Sequence, residues 1–462
     1  MVSYGEMNML GDRTTIFLNT LKRLLRRHAS TRLQNVINKS HIADLALVFP
    51  SLTLVEQEQL LELLNKPRQK AMLFGALGDE IRTRLLESMA DQQVVEIIND
   101  MPSDDVAAVV AKLPEGRAKA ILELMKREDS EEVQELLSHS QKTAGRIMVP
   151  NFIALSVKTT AKEAVAVLQR QYADVEMPFY LYVVDDLGRL QGIVSLRHLV
   201  FVPPETKLGS IMSSDVVSVH TSTDQEEVAK LVALYNILAV PVVDNNNILV
   251  GIVTVDDVID VIRDEATEDV LKMAGVSGGM EYIETQSLVN NIGKRLPWLL
   301  ASWMGGIVAA CVVGHFHHVL DELIYLAAFM PIVMGMGGNV GTQTSASMIR
   351  GLATGRIDLN QVWRIVCREF AVGFCLGFIY GAMLYVFANM KYGFALWQLG
   401  VVVGLAMICS MTAAATLASC IPLLLHRFRI DPAVACGPFV TTCTDILSVF
   451  FYFKIATYFL HP

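Results

Sequence analysis

Asp445 is a lone carboxylate about halfway through the last apolar segment of the chain. An ionisable group at that depth is costly in a bilayer, so it is expected to face a bundle interior or water and to mark an ion or substrate path. It is expected to face an earlier apolar segment that carries Gly335-Met336-Gly337-Gly338-Asn339-Val340-Gly341-Thr342-Gln343. Glycines let backbone approach an ion, and non-helical backbone at membrane depth is tolerated where it lines a cavity. Two plainer readings stand beside these. The glycines suit close helix packing of the small-xxx-small kind, and Asp445 could pair with Lys454, although nine residues place that lysine two and a half turns away.

A second group of carboxylates lies far from the apolar segments. On a helix, Asp257, Asp260, Asp264 and Glu268 share one face at steps of three and four, with Glu265 and Asp269 beside them. Like charges at that spacing repel by about 0.2–0.5 kcal/mol per pair, and Arg263 and Lys272 are expected to offer little relief. The face is either a solvated surface or a site where hydrated divalent cations bridge this helix to Asp224, Glu226 and the Asp100, Asp104, Asp105 group. Oxygen-only ligands suit Mg²⁺ or Ca²⁺ rather than transition metals. His315, His317 and His318 read as an interfacial loop rather than a zinc site, and the seven cysteines form no CxxC pair.

These residues need elements to position them. Of the 38 basic and 47 acidic residues, ten basic and six acidic ones follow residue 290, so the net charge of −9 comes from the N-terminal part. An acidic soluble part favours cations over nucleic acid as partners. From about Leu296 five apolar segments follow, near 296–316, 323–349, 362–390, 396–425 and 432–460, each at or above the roughly 20 residues that span the hydrocarbon core. Lys294, Arg295, Arg350, Arg356, Arg364, Arg427 and Arg429 fall on one side of them, and the positive-inside rule makes that side the cytoplasm, together with the N-terminal 290 residues. Residues 1–140 carry helical spacing throughout, with Leu77-Gly78-Asp79-Glu80 to Met89 echoed 36 residues later by Leu113-Pro114-Glu115-Gly116 to Met125. Stacked short helices of this kind form a superhelical domain. A sharper repeat follows, in which Val183-Val184-Asp185 and Gly192-Ile193-Val194 recur 59 residues later as Val242-Val243-Asp244 and Gly251-Ile252-Val253. Each copy reads as two short strands joined by a turn, with helices before and after. The copies resemble a pair of CBS modules, about 144–200 and 205–265, which either hold an adenine nucleotide such as ATP or act as a structural, dimerising pair.

A helical N-terminal domain (1–140), a CBS pair (141–256), an acidic connecting helix (257–290) and a five-helix membrane domain (291–462) carrying Gly-Met-Gly-Gly-Asn-Val-Gly-Thr-Gln together resemble the MgtE family of magnesium channels. The fold class is therefore multidomain: all-α superhelix, α/β CBS pair, plug helix and α-helical transmembrane pore. The resemblance implies a homodimer in the plasma membrane whose pore is lined by the second and fifth membrane helices and closed by the plug helix when cytosolic Mg²⁺ is abundant. It implies pore roles for Asp445, Gly335, Gly338, Asn339, Thr342 and Glu369, with the Thr342 hydroxyl replacing an amide contact. It also implies regulatory Mg²⁺ sites at Asp105, Asp224, Glu226, Asp257, Asp260, Glu265, Glu268 and Asp269. Asn236 stands where the family commonly has an acid, which would shift the sensing range. The expected function is Mg²⁺ uptake. The alternatives are transport of Co²⁺, Mn²⁺ or Ca²⁺, and a nucleotide-sensing membrane protein. No GxxxxGK[ST], HExxH or GxSxG motif supports an enzyme.

Overall fold

The computed structural model describes residues 4–460 apart from 28, 65, 172–179, 277–287, 323, 358–360, 394–395, 429 and 436, so Arg429, Cys436 and part of the expected 257–290 connection lie outside the described residues. The chain divides into two compact units, Met1–Ile262 and Arg263–Pro462.

The first unit opens with short helices: α1 (Tyr4–Arg26), α2 (Ser30–Lys39), α3 (Ile42–Val48), α4 (Leu54–Leu63), α5 (Pro67–Ala76), α6 (Asp79–Ser88), α7 (Asp91–Ile98), α8 (Ser103–Val110), α9 (Glu115–Leu124) and α10 (Arg127–Ser138). Local chemistry fixes where they start. Thr53 and Glu56 cap the start of α4 reciprocally, and acids in the first turns of α8, α9 and α10 complement the helix dipole. The 36-residue repeat is structural: Gly78 and Pro114 are the N-caps, and Met89 and Met125 the C-caps, of the equivalent helices α6 and α9.

After α11 (Ala144–Ile147) come β1 (Ala154–Ser156), α12 (Ala161–Gln171), β2 (Tyr180–Val184), β3 (Leu190–Ser195), α13 (Leu196–Phe201), α14 (Leu208–Ile211), β4 (Val219–His220), α15 (Gln225–Tyr235), β5 (Ala239–Val243), β6 (Leu249–Thr254) and α16 (Val255–Met273). Two sheets of identical topology result, each a parallel pair extended by an antiparallel hairpin, with the ladder shifting at Val183/Val184 and again at Val242/Val243. The hairpin turns repeat the same chemistry. Oδ1 of Asp185 accepts from the amides of Leu187 and Arg189, and Oδ1 of Asp244 accepts from those of Asn246 and Ile248. Gly188 and Asn247 supply the left-handed residue that each turn needs (φ 77° and 62°). Tyr182, Leu190, Val149, Leu249 and Ile252 form a core of their own. A larger core runs from Leu21 and Leu45 through Val106 and Val133 into Val228, Val240, Val253 and Val258, so the helical part and the second module share one apolar interior.

The second unit holds the rest of α16, then α17 (Leu288–His315), α18 (His317–Glu322), α19 (Met330–Ala353), α20 (Val362–Tyr392), α21 (Trp397–Arg427) and α22 (Pro438–Leu460). Five of these, α17, α19, α20, α21 and α22, are long and apolar enough to cross a membrane. Burial of the apolar stretch runs from 11% in α17 to 56% in α21, which makes α21 the central helix of the bundle. Its contact with α20 depends on glycine. A Cβ on Gly377 or Gly381 would fall within 2.8 Å of the Ile408 Cα or 2.5 Å of the Gly404 carbonyl oxygen, so backbones touch there. The last membrane helix starts at Pro438 rather than at 432, where Pro432–Ala435 forms a separate 3₁₀ turn.

Candidate ion path and cation sites

In the second unit, the stripe of α19 formed by Gly335, Gly338, Asn339 and Thr342, at helical steps of three and four, holds every pore candidate expected from the glycine-rich run. The backbone there differs from expectation. Residues Met330–Ala353 form one unbroken α-helix, so the run is not a non-helical filter. The carbonyl of Gly338 also accepts a hydrogen bond from the Thr342 hydroxyl (2.9 Å), which commits that proton within the helix. Gly337 and Gly341 serve packing instead: a Cβ on Gly337 would lie 2.6 Å from the hydroxyls of Ser410 and Ser448. Those hydroxyls bond to each other at 2.6 Å, and Ser448 donates to the Thr444 carbonyl, joining α21 to α22 behind the stripe. The packing reading of the glycines therefore holds for Gly337 and Gly341, on one face of the helix, while Gly335 and Gly338 lie on the other.

Asp445 is half-buried on α22, beside this stripe. Its Oδ1 lies 3.6 Å from the point where a Cβ on Gly338 would sit, with Thr441 at 3.5 Å. Gly335 is open, with no atom within 4 Å of such a Cβ. The carboxylate lines a cavity of about 330 Å³ between α17, α19 and α22, whose other walls are small or apolar: Ser302, Gly305, Ala309, Met334 and Val449 among them. No hydrogen bond or ion pair engages it among the described residues, and Lys454 is exposed elsewhere on the helix, so the pairing considered for Asp445 is not made. An unpaired carboxylate in a cavity of this volume can hold a cation through its hydration shell. Glu369 is not brought to this cavity. It lies two turns into α20 and pairs with Arg368 at 3.1 Å.

The first unit gathers a different set. Asp104 and Asp105 at the start of α8 meet Asp256, Asp257 and Asp260 at the start of α16. Burial holds the Asp104 carboxyl well above its ordinary pKa, and Asp257 and Asp105 push it further. Its Oδ1 is buried with no hydrogen-bond partner. Burial also raises Asp257, to about 7, against the hydrogen bond from the Thr254 hydroxyl, with Asp256 and Asp105 adding to the rise. Asp105 is raised by burial, partly offset by Arg82 and reinforced by Asp260 and Asp256. Among the described residues no three His, Cys, Asp or Glu side chains form a group that would ligate a metal directly. The donor set fits a cation that keeps its water, since mutually repelling carboxylates around the orphaned Oδ1 of Asp104 suit a hydrated ion. Asp104 belongs to the Asp100, Asp104, Asp105 group read from the sequence, whereas Asp256 was not among the expected site residues. Its signal was there, since Asp256 and Asp260 are one helical turn apart.

The other regulatory candidates have local partners. Asp224 caps α15 by accepting from the Glu226 amide at 2.8 Å, and Glu226 pairs with Lys230 at 3.1 Å. Asn236 takes the left-handed position that ends α15 (φ 52°), where asparagine is tolerated better than most side chains. In the second unit, Glu265, Glu268 and Asp269 are half-buried along the last turns of α16. Contrary to expectation, Lys272 does relieve this end of the face, reaching Glu268 at 2.7 Å and Asp431 at 2.6 Å. The six described cysteines are free thiols.

The family model described as the MgtE divalent cation transporter matches residues 330–455, the MgtE intracellular N domain matches 40–142, and the CBS domain matches 144–205 and 208–264. The chain is 38% identical over 337 residues to the magnesium transporter MgtE of Bacillus subtilis, covering 73% of this chain and 74% of that one. It is 37% identical over 330 residues to the magnesium transporter MgtE of Thermus thermophilus, covering 70% and 72%. Among solved structures it is similar to the soluble part of a magnesium transporter (31% identity, TM-score 0.51, 55% of this chain and 99% of that one). It is equally similar to the cytosolic domain of the Mg²⁺ channel MgtE in complex with ATP (34% identity, TM-score 0.51, 53% and 99%).

Proposed function

The chain belongs to the MgtE family of divalent cation transporters, and from that premise we propose that it is a Mg²⁺-selective channel of the plasma membrane, closed by Mg²⁺ acting on its cytoplasmic carboxylates. The observation that carries the reading is Asp445, an unpaired carboxylate in a cavity of about 330 Å³ beside the Gly335–Thr342 stripe. Mg²⁺ dehydrates reluctantly, so a path that conducts it should be wide, should touch the ion through water, and should supply one or two carboxylates rather than a tight cage. In a homodimer Asp445 occurs twice about the axis. The exposed Gly335, Asn339 and Thr342 would then face their equivalents across the pore, and Glu369 would act nearer its cytoplasmic mouth.

Gating follows as linkage between the cation and the closed assembly. Asp105, Asp257 and Asp260, joined by Asp104 and Asp256, repel when bare, and a hydrated Mg²⁺ among them relieves that repulsion. Asp224, Glu226, Glu265, Glu268 and Asp269 are the further regulatory ligands in this scheme. The metal acts only through its preference for the state in which these groups are held together. The domain limits that fit this division are 1–140, 141–256, 257–290 and 291–462. The relative solved with ATP supports a nucleotide at the CBS pair as a second input.

Liposome flux tests the reading. Mg²⁺ uptake without added nucleotide, outcompeting Co²⁺, Mn²⁺ and Ca²⁺ at matched concentration, is the expected result. Equal or greater flux of another of these ions would overturn the selectivity, and flux that appears only with ATP would make the CBS pair the primary control.

A further inference from the structure

Away from Asp445, the second unit contains a cleft of about 670 Å³ where α19 ends and α20 begins. Four guanidinium side chains line it: Arg350 and Arg356 from the end of α19 and the turn after it, and Arg364 and Arg368 from successive turns of α20. No carboxylate lines it among the described residues. Arg368 is paired with Glu369 and Arg364 reaches Gln361 at 3.2 Å, while Arg350 and Arg356 make no ion pair among the described residues. A general bias of positive charge towards the cytoplasm accounts for arginines at this level. It does not account for their converging on one concave surface, where Arg350, Arg356 and Arg364 have no carboxylate partner among the described residues and leave the cleft positively charged.

We propose that this cleft is a binding site for the phosphate of an anionic phospholipid headgroup. Guanidinium forks match phosphate oxygens in geometry as well as charge, and basic pockets between membrane helices on the cytoplasmic side take such headgroups. An exposed aromatic beside the cleft and apolar residues in its lining favour a lipid over a free anion. Trp363, one residue before Arg364, is 78% exposed at the start of α20, the position of an aromatic anchor at the level of the headgroups. Beneath the arginines, Met348 and Ile365 give the cleft an apolar floor against which glycerol and the first acyl carbons would lie. Arg364 and Arg368 form the wall contributed by α20, so a bound headgroup would hold the entry of that helix in place.

Native mass spectrometry of the full chain, released from nanodiscs of phosphatidylcholine with a minority of phosphatidylglycerol, tests the site. The parent should retain phosphatidylglycerol in preference to phosphatidylcholine. The triple variant Arg350→Gln/Arg356→Gln/Arg364→Gln should lose that retention by about a hundredfold, and Arg356→Gln alone, an exposed turn residue whose loss is harmless to folding, by about fivefold. Arg427→Gln, an exposed arginine outside the cleft, should retain the lipid as the parent does. Equal retention by the parent and Arg356→Gln, or no preference between the two lipids, would overturn the site. Displacement of the lipid by inorganic phosphate at matched concentration would overturn its assignment to a lipid.

Discussion

The ammonium of Lys272, in the last turn of α16, lies 2.6 Å from the carboxylate of Asp431, in the turn between α21 and α22. Oδ1 of Asp431 in turn accepts from the amide of Ala433 at 2.9 Å, and Met273 packs with Ile349 and Ala433. Burial pulls the Lys272 pKa down, but the hydrogen bonds to Asp431 and Glu268 outweigh it, and the group stays cationic. The end of the acidic helix is thereby fastened to the turn that leads into the helix of Asp445.

Removing that fastening should weaken closure. Lys272→Met keeps the length and apolar stem of the side chain and deletes the charge. A partly exposed pair of this kind contributes about 0.2–1 kcal/mol, so the Mg²⁺ concentration for half-closure should rise by roughly 1.4- to fivefold. Flux into liposomes with cytoplasmic-side Mg²⁺ varied measures it, and an unchanged or lower midpoint would show that the pair has no part in gating.

The Asp104, Asp105 and Asp257 group predicts a pH dependence with a definite sign. All three carboxyls are raised in the folded unit, Asp257 to about 7. A raised carboxyl favours the folded arrangement while protonated, so this contribution is fully present below the ordinary carboxylate pKa of about 4 and is lost as pH rises through about 7. Without Mg²⁺, hydrogen exchange at α8 and the start of α16 should therefore accelerate between pH 5 and about 7.5 beyond its intrinsic pH dependence. With Mg²⁺ the acceleration should vanish, because the cation replaces the proton, and calorimetry in buffers of different ionisation enthalpy should show protons released on binding. Exchange that is insensitive to Mg²⁺ at the upper end of this range would remove the group from the sensor.

Much of this was legible in the sequence because it depends on periodicity. The helix-by-helix repeat, the 59-residue duplication and the five apolar segments each follow from spacing that tertiary contacts only reinforce. The two sets of glycines on α19 were not separable, since Gly335 and Gly337 differ only in which neighbour lies across from them, and that neighbour is Ser410 or Ser448 from much later in the chain. Lys272 was half legible: Glu268 lies one turn before it on the same helix, but its second partner, Asp431, is 159 residues away. Asp224 reads equally well as a ligand and as a helix cap from its own sequence, and only the bond to the Glu226 amide identifies the cap.

Adjacent glycines of α19 should respond differently to alanine. On Gly337 the added methyl meets two hydroxyl oxygens at 2.6 Å that already bond to each other, so Gly337→Ala should cost about 1–3 kcal/mol as an overpacked site. On Gly338 the methyl makes ordinary contacts at 3.5 and 3.6 Å with Thr441 and Asp445. Gly338→Ala should fold with parental thermal stability yet conduct less Mg²⁺, because the methyl occupies space beside the carboxylate. Thermal melts alongside flux distinguish the two, and a destabilised Gly338→Ala or a stable Gly337→Ala would contradict the division of faces.

Asp445→Asn is the sharpest test of the path. The substitution preserves shape, and because no hydrogen bond or ion pair engages the carboxylate among the described residues, the fold loses nothing. What disappears is charge. A divalent ion held through one water shell at ~5 Å from a carboxylate gains up to about 7 kcal/mol at an effective dielectric of about 20. Losing even a third of that would reduce Mg²⁺ flux by at least about thirtyfold. Asp445→Glu, which keeps the charge in the same cavity, should recover part of the loss, while the Mg²⁺ midpoint of hydrogen-exchange protection at α8 should remain parental in both variants. Parental flux through Asp445→Asn would mean that the cavity between α17, α19 and α22 is not the ion's route, whatever the carboxylates of α16 sense.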